Sequence, residues 1–149
     1  MNTIDALNKK IVFDFIKQHH LAVLSTVSGD MLPEASVVGF DIEQKNADFE
    51  IRFVTFDSSR KHANLKRNPR VAMVIGWDHG KTIQIEGEAF EVTDSEDVKE
   101  IEWKNLEKMP TVAKYINPER AVFYKIIPKS LRYSDYSTEP WQRIELKFL

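Results

Sequence analysis

The residues best suited to chemistry lie in one run, Phe53-Val54-Thr55-Phe56-Asp57-Ser58-Ser59-Arg60-Lys61. A strand ends at Thr55, and Ser58 reads as the N-cap of a short helix to Asn68, with Pro69 just past its end. A helix N-terminus offers unpaired N–H groups and about half a positive charge, which suits a phosphate. Thr55, Ser58 and Ser59 add hydroxyls, while Arg60 and Lys61 add charge and a bidentate fork. Two cations in a first turn oppose the helix dipole, and a bound anion would remove that conflict. A solvated basic helix with an ordinary serine cap accounts for the same residues equally well.

Other chemistries are narrowed by composition. The chain has no cysteine, which excludes disulfides, thiolate nucleophiles, iron–sulfur clusters and cysteine-based zinc sites. His19, His20, His62 and His79 show no ligand spacing with a carboxylate, so no metal site is expected and surface roles are. His62, one residue after Lys61, stands nearest the chemistry. There is no nucleophile elbow, Walker loop or dinucleotide fingerprint, and no catalytic acid or base can be named. A net charge of -2 gives no field toward nucleic acid or an anionic membrane. The local cluster Arg60, Lys61, Lys66, Arg67 and Arg70 fits a small anion better than a polymer. No apolar run reaches the roughly 18 residues of a membrane span, and Met1 to Ala6 lacks a leader pattern, so a cytoplasmic protein is expected.

The elements that must position this run follow from periodicity. Leu7, Ile11 and Phe15, with Val12 and Ile16 beside them, predict an amphipathic first helix capped by Asn2 or Thr3. From Leu21 the period is two: Leu21–Val27, a turn at Ser28-Gly29-Asp30, a partner strand Glu34–Asp41, and a polar turn over Glu43–Asp48. Phe49, Ile51 and Phe53 alternate with Glu50 and Arg52, as in a strand with one buried face. Val71–Trp77 and Lys81–Val92 are strands about a tight turn at Asp78-His79-Gly80, with a bulge expected near Ala89. Asp94 caps a charged helix to Lys108, whose apolar stripe is Val98, Ile101 and Leu106 and whose acids read as a solvated face. Ala121–Ile127 and Leu131–Tyr136 are separate strands about a bend at Pro128, and Ile144, Leu146 and Phe148 suit an edge strand. The result is a single mainly β domain over residues 1–149: a closed or nearly closed barrel of six to seven mostly antiparallel strands with a few peripheral helices.

Phe53/Thr55, then Ser59-Arg60-Lys61, then Leu65-Lys66-Arg67-Asn68-Pro69-Arg70-Val71 resemble the pyridoxamine 5'-phosphate oxidase-like FMN-binding split barrels. Leu21–Thr26, Gly29-Asp30, Pro33, Ala35 and Ser36 match that family's opening, and Ile85-Glu86-Gly87-Glu88-Ala89 its glycine-containing strand. The resemblance covers about Leu21 to Val92 and is nearest the short general-stress-protein-like branch. It implies FMN as cofactor, with Thr55, Ser58, Ser59, Arg60 and Lys61 at the phosphate. It also implies Val37, Val38, Gly39 and Phe40 along the isoalloxazine, Val54 close by, and Thr82 or Gln84 from the neighbouring subunit of a homodimer. Trp141 would cover the flavin, although packing on the barrel is the alternative for so large a side chain. Tyr133 and Tyr136 are read as strand residues. Ile83, Ile85 and Val71–Ile75 offer apolar surface for the dimer.

The chain departs from the pyridoxal-forming oxidase of this family. That enzyme's Arg and Lys flanking the strand at Ser36–Phe40, and its C-terminal Arg-x-His, have no counterpart here. The expected function is therefore an FMN-dependent oxidoreductase acting on some substrate other than pyridoxamine phosphate. A flavin-binding sensor without turnover, or the same barrel holding haem or a deazaflavin, are the alternatives.

Overall fold

Alternation of apolar and polar residues decides which side of each strand becomes the interior. The computed structural model describes residues 3–45, 48–108, 110 and 117–148. Among these, the order is α1 (Thr3–Lys17), β1 (Leu21–Val27), β2 (Pro33–Lys45), β3 (Asp48–Phe56), α2 (Arg60–Arg67), β4 (Arg70–Ile75), β5 (Lys81–Val92), α3 (Ser95–Lys108), β6 (Ala121–Asp135) and β7 (Gln142–Lys147). All pairings are antiparallel, in the order β3-β2-β1-β4-β5-β6-β7. A further ladder joins β3 to β6, so six strands close into a barrel and β7 lies outside it. Leu24, Phe40, Ile51, Phe53, Met73 and Ile85 fill the inside. Val12 and Ile16 of α1 are fully buried in the same core, and Phe15 meets Tyr133 edge-on at 5.3 Å.

Several elements depart from the periodic reading. Leu7 is exposed, because the buried stripe of α1 centres on Val12 and Ile16 instead. Asn2 lies outside the described residues, as does the side chain of Leu106. Ile83, Ile85, Val71, Met73 and Ile75 all point into the barrel, so they supply no surface for a partner. Strand β4 stops at Ile75 because Gly76 takes a left-handed φ of +78°, leaving Trp77 exposed. Residues 121–135 form one strand rather than two. Its irregularity falls where Glu86 pairs with Ser130 and Gly87 with Pro128, so Lys129 is the extra residue and the bulge is not at Ala89. Proline has no N–H to lose at such a place. Gly87 lies so close to the Ile127 carbonyl that a Cβ there would collide with it.

The largest departure is β2, which runs on to Lys45 through positions expected to be a polar turn. Its outward-facing Asp41 lies directly across from Arg52 of β3. Arg52 Nε and Nη2 donate to the two Asp41 oxygens at 3.1 and 2.8 Å, and Nη1 lies 2.7 Å from Glu43 and 3.5 Å from Glu100. Lys104 of α3 bridges Glu43 and Glu100 at 2.9 and 3.2 Å. The acidic helix is thus anchored across β2 by ion pairs, and Arg52 is buried where a solvated outer face was expected. A buried guanidinium is tolerated because its donors meet several carboxylates; removing one partner from such a group costs about 3–5 kcal/mol.

This network makes stability depend on acid. Burial alone would raise the Glu43 carboxyl, but Lys104 and Arg52 outweigh it and hold the group at about 2, against an ordinary 4.5. Its contribution is therefore complete above pH 4.5 and lost as pH falls toward 2. Urea midpoints should drop across that window, and Glu43→Gln should flatten this part of the profile. An unchanged slope in the variant would contradict the assignment.

Candidate functional site

The barrel wall opens between β2 and β3. Their ladder runs from Lys45↔Asp48 to Phe40↔Phe53 and then ends. Beyond it, Pro33–Gly39 pairs only with β1, and Val54–Phe56 only with β6. Each strand thus carries a free main-chain edge along a split, and such groups need partners. Helix α2 leaves β3 after a three-residue loop and packs against β1 and β3 beside this opening.

The start of α2 is tightly organised. Ser59, not Ser58, is the N-cap: its Oγ accepts from the His62 N–H at 3.2 Å and from the Thr55 hydroxyl at 2.9 Å. The hydroxyl of Ser59 becomes the cap because its backbone is extended (φ -74°, ψ 150°), the geometry that aims Oγ back at the first turn. Ser58 is exposed in the loop. Lys61 is half-buried, and no carboxylate pairs with it among the described residues. Burial and the neighbouring charge of Arg60 push its ammonium below the usual lysine range. Arg60 is exposed and lies 2.7 Å from the Glu34 carboxylate on β2.

Two clusters lock the helix in place, and sequence patterning missed both. Asn64, nearly fully buried, donates to Thr26 Oγ1 of β1 and to Glu34 Oε1, each at 2.9 Å. His62 is buried rather than on the surface, with Nδ1 2.6 Å from the Tyr124 hydroxyl. Tyr124 itself stacks on Phe53 at 5.3 Å. Spacing gave no cue: 62 and 64 fall about 200° apart on a helix, so they are buried on different sides, His62 against Tyr124 and Asn64 against Thr26 and Glu34. Neither cluster leaves a free acid or base at the split, since Glu34 is engaged twice and His62 faces inward.

The other candidate residues divide by position. Val37 is exposed and Gly39 half-buried on the free edge of β2, while the side chains of Val38 and Phe40 belong to the core. The Phe40 N–H donates to the His20 carbonyl at 3.1 Å. Val54 is half-buried on the free edge of β3. Thr82 and Gln84 face outward on β5, with β1 and β4 between them and β2. Trp141 does not pack on the barrel: it is 65% exposed and meets Tyr136 edge-on at 4.8 Å. Tyr133 is a buried strand residue, whereas Tyr136 is exposed. No group of three or more metal-ligating side chains occurs among the described residues.

The family model of the pyridoxamine 5'-phosphate oxidases matches residues 9–134, which takes in the barrel, the split and α2. The chain belongs to that family. Among its relatives, the F420H2-dependent biliverdin reductase of Mycobacterium tuberculosis is 28% identical over 121 residues, covering 81% of this chain and 85% of that one. A pyridoxamine 5'-phosphate oxidase-related, FMN-binding protein of Nostoc punctiforme superposes with a TM-score of 0.65 at 11% identity, covering 98% of this chain and 89% of the other. The haem storage protein HutZ of Vibrio cholerae does so with a TM-score of 0.68 at 18% identity, covering 80% and 89%. The last two likenesses, at 11% and 18% identity, are likenesses of fold. No helix among the described residues is long and apolar enough to cross a membrane.

The His62–Tyr124 contact gives a direct check of the locked helix. Burial, with the charge of Glu91, pushes the Tyr124 phenol up to about 12. Spectrophotometric titration should show one of the four tyrosines ionising near pH 12, a step absent from Tyr124→Phe. The variant should also lose about 1–3 kcal/mol of stability, the cost of leaving His62 unpaired.

Proposed function

We propose that this protein is an FMN-dependent oxidoreductase that holds the cofactor in the split, with the phosphate at the first turn of α2. The observation that carries this reading is Lys61: a half-buried cation with no carboxylate partner among the described residues, beside a serine-capped helix start. The first-turn N–H groups of Arg60 and Lys61 precede any intrahelical acceptor. Ser59, Lys61 and these N–H groups would hold the phosphate, and the free edge of β2 at Val37–Gly39 would hydrogen-bond the polar rim of the ring. The flavin supplies the electron chemistry when bound; the chain supplies anchoring, orientation and a shaped groove. Arg132 is tied to Glu145 at 2.8 Å, and Arg143 is turned to the Tyr136 hydroxyl.

A deazaflavin is the second reading, favoured by the 28% identity to the F420H2-dependent enzyme. Both cofactors present a phosphate and a flat ring, so the same residues serve either. Titration with FMN, F420 and riboflavin, followed by fluorescence, separates them, and a Soret band in the purified protein would instead mark haem. FMN should bind more tightly than riboflavin, which lacks the phosphate. Lys61→Ala should cost FMN about 1.5–3 kcal/mol and leave riboflavin unaffected. Equal affinity for the two flavins would overturn the phosphate assignment.

We also propose a homodimer, because Thr82 and Gln84 can reach a split only if it belongs to a second copy. The outer face of β2, β1 and β4 supports this: Val37, Val23 and Val74 lie in one cross-strand row, with exposed Leu21 nearby. Sedimentation should give a species near twice 17.3 kDa. A monomer that binds FMN tightly would remove the two-subunit site.

A further inference from the structure

Helix α2 is bonded to both banks of the split. Thr55, on the free end of β3, donates its hydroxyl to Ser59 Oγ at 2.9 Å. At the other bank, Thr26 of β1 and Glu34 of β2 are cross-strand partners, and a single amide serves both. Asn64 Nδ2 donates to Thr26 Oγ1 and to Glu34 Oε1, each at 2.9 Å. The two attachments sit about 7.5 Å apart along the axis of α2. The helix is therefore a strut between the banks, with Ser59 at one foot and Asn64 at the other.

Of the bonds at the second foot, those of Asn64 fix the helix most firmly. Its side chain is buried, where an amide is tolerated only when hydrogen-bonded, and both of its N–H groups are engaged, one on each strand. Sliding α2 along the bank breaks one bond or the other. The Arg60–Glu34 ion pair joins the same two elements, but its side chains are 83% and 25% exposed, and pairs so open to water contribute little. The placement has a consequence for a ligand that spans the split. Its phosphate would lie at the first turn of α2 and its ring along Val37–Gly39 of β2. The distance between those places is set by where α2 sits on β2, and Asn64 makes that attachment at Glu34, on the same free edge. A ligand that must reach both places gains from both only if the spacing matches its length.

We propose that Asn64 is a positioning residue that sets the spacing between the phosphate and ring subsites of the split. This rests on the reading of the α2 turn as the phosphate site. Asn64 touches neither part of the ligand in this scheme; it acts through the seat of α2 on the β1–β2 pair.

Asn64→Ala removes both bonds and leaves Ser59, Lys61 and the β2 edge in the chain. Three probes separate its effects: FMN and riboflavin, followed by fluorescence, and inorganic phosphate, followed by phosphorus NMR. FMN should bind at least about tenfold more weakly to the variant, because one ligand no longer fits both subsites at once. Riboflavin and inorganic phosphate each engage a single subsite, so their affinities should move by less than about twofold. A merely structural role would weaken all three alike. Thermal unfolding should show the variant folded. Thr26→Val, which deletes one of the two acceptors at nearly constant volume, should repeat the pattern on a smaller scale, and it decides the matter if Asn64→Ala does not fold. Unchanged FMN affinity, or an equal loss for riboflavin or phosphate, would overturn the role of Asn64 alone. If the wild type does not prefer FMN to riboflavin, the phosphate reading fails and this inference with it.

Discussion

Six residue pairs join β2 to β3, and past Phe40 and Phe53 the two strands diverge. In a closed barrel every main-chain group finds a partner in the next strand; here two short edges do not. The chain answers that constraint with the segment that follows β3. A turn, a serine cap and an eight-residue helix fit beside the opening, bound to β1 through Asn64 and to the barrel interior through His62 and Tyr124. The candidate site exists because the ladder stops, and it has a defined shape because α2 is bonded from both sides.

Two arginines illustrate how position sets the use of the same side chain. Arg52 lies on a strand beneath a helix, with all three of its nitrogens engaged by Asp41, Glu43 and Glu100. Such a group is structural: its charge is countered on several sides, and its loss would strand the buried carboxylate of Asp41. Arg60 lies in an exposed first turn with a single carboxylate partner, so its charge can be reassigned at small cost. Lys61 differs from both: it is half-buried with no such partner among the described residues.

The cofactor identity is a question of degree in this fold. A groove with a free strand edge accommodates any flat ring with a polar rim, and an uncompensated cation accepts any phosphate. Relatives described with FMN, F420 and haem share the barrel.

Much of the barrel was legible in the residues because strand periodicity is local. The bounds of β1 and β5, the turn through His79 and Gly80, and the strand placed at Ile144 and Leu146 all follow from alternation and turn chemistry over a few neighbours. The start of α2 was legible to within one residue, Ser59 capping it rather than Ser58, since a cap and its first turn are contiguous in the chain. What alternation alone did not show involves partners far apart in sequence. That β2 continues to Lys45 depends on Arg52 and on Lys104, 61 residues beyond Glu43. That His62 is buried depends on Tyr124, 62 residues away. That Arg60 meets a carboxylate depends on Glu34, 26 residues earlier in the chain. Propensity and period act through neighbouring residues and so can be read along the chain; the burial of a charge is decided by which distant side chain the closed sheet brings to it.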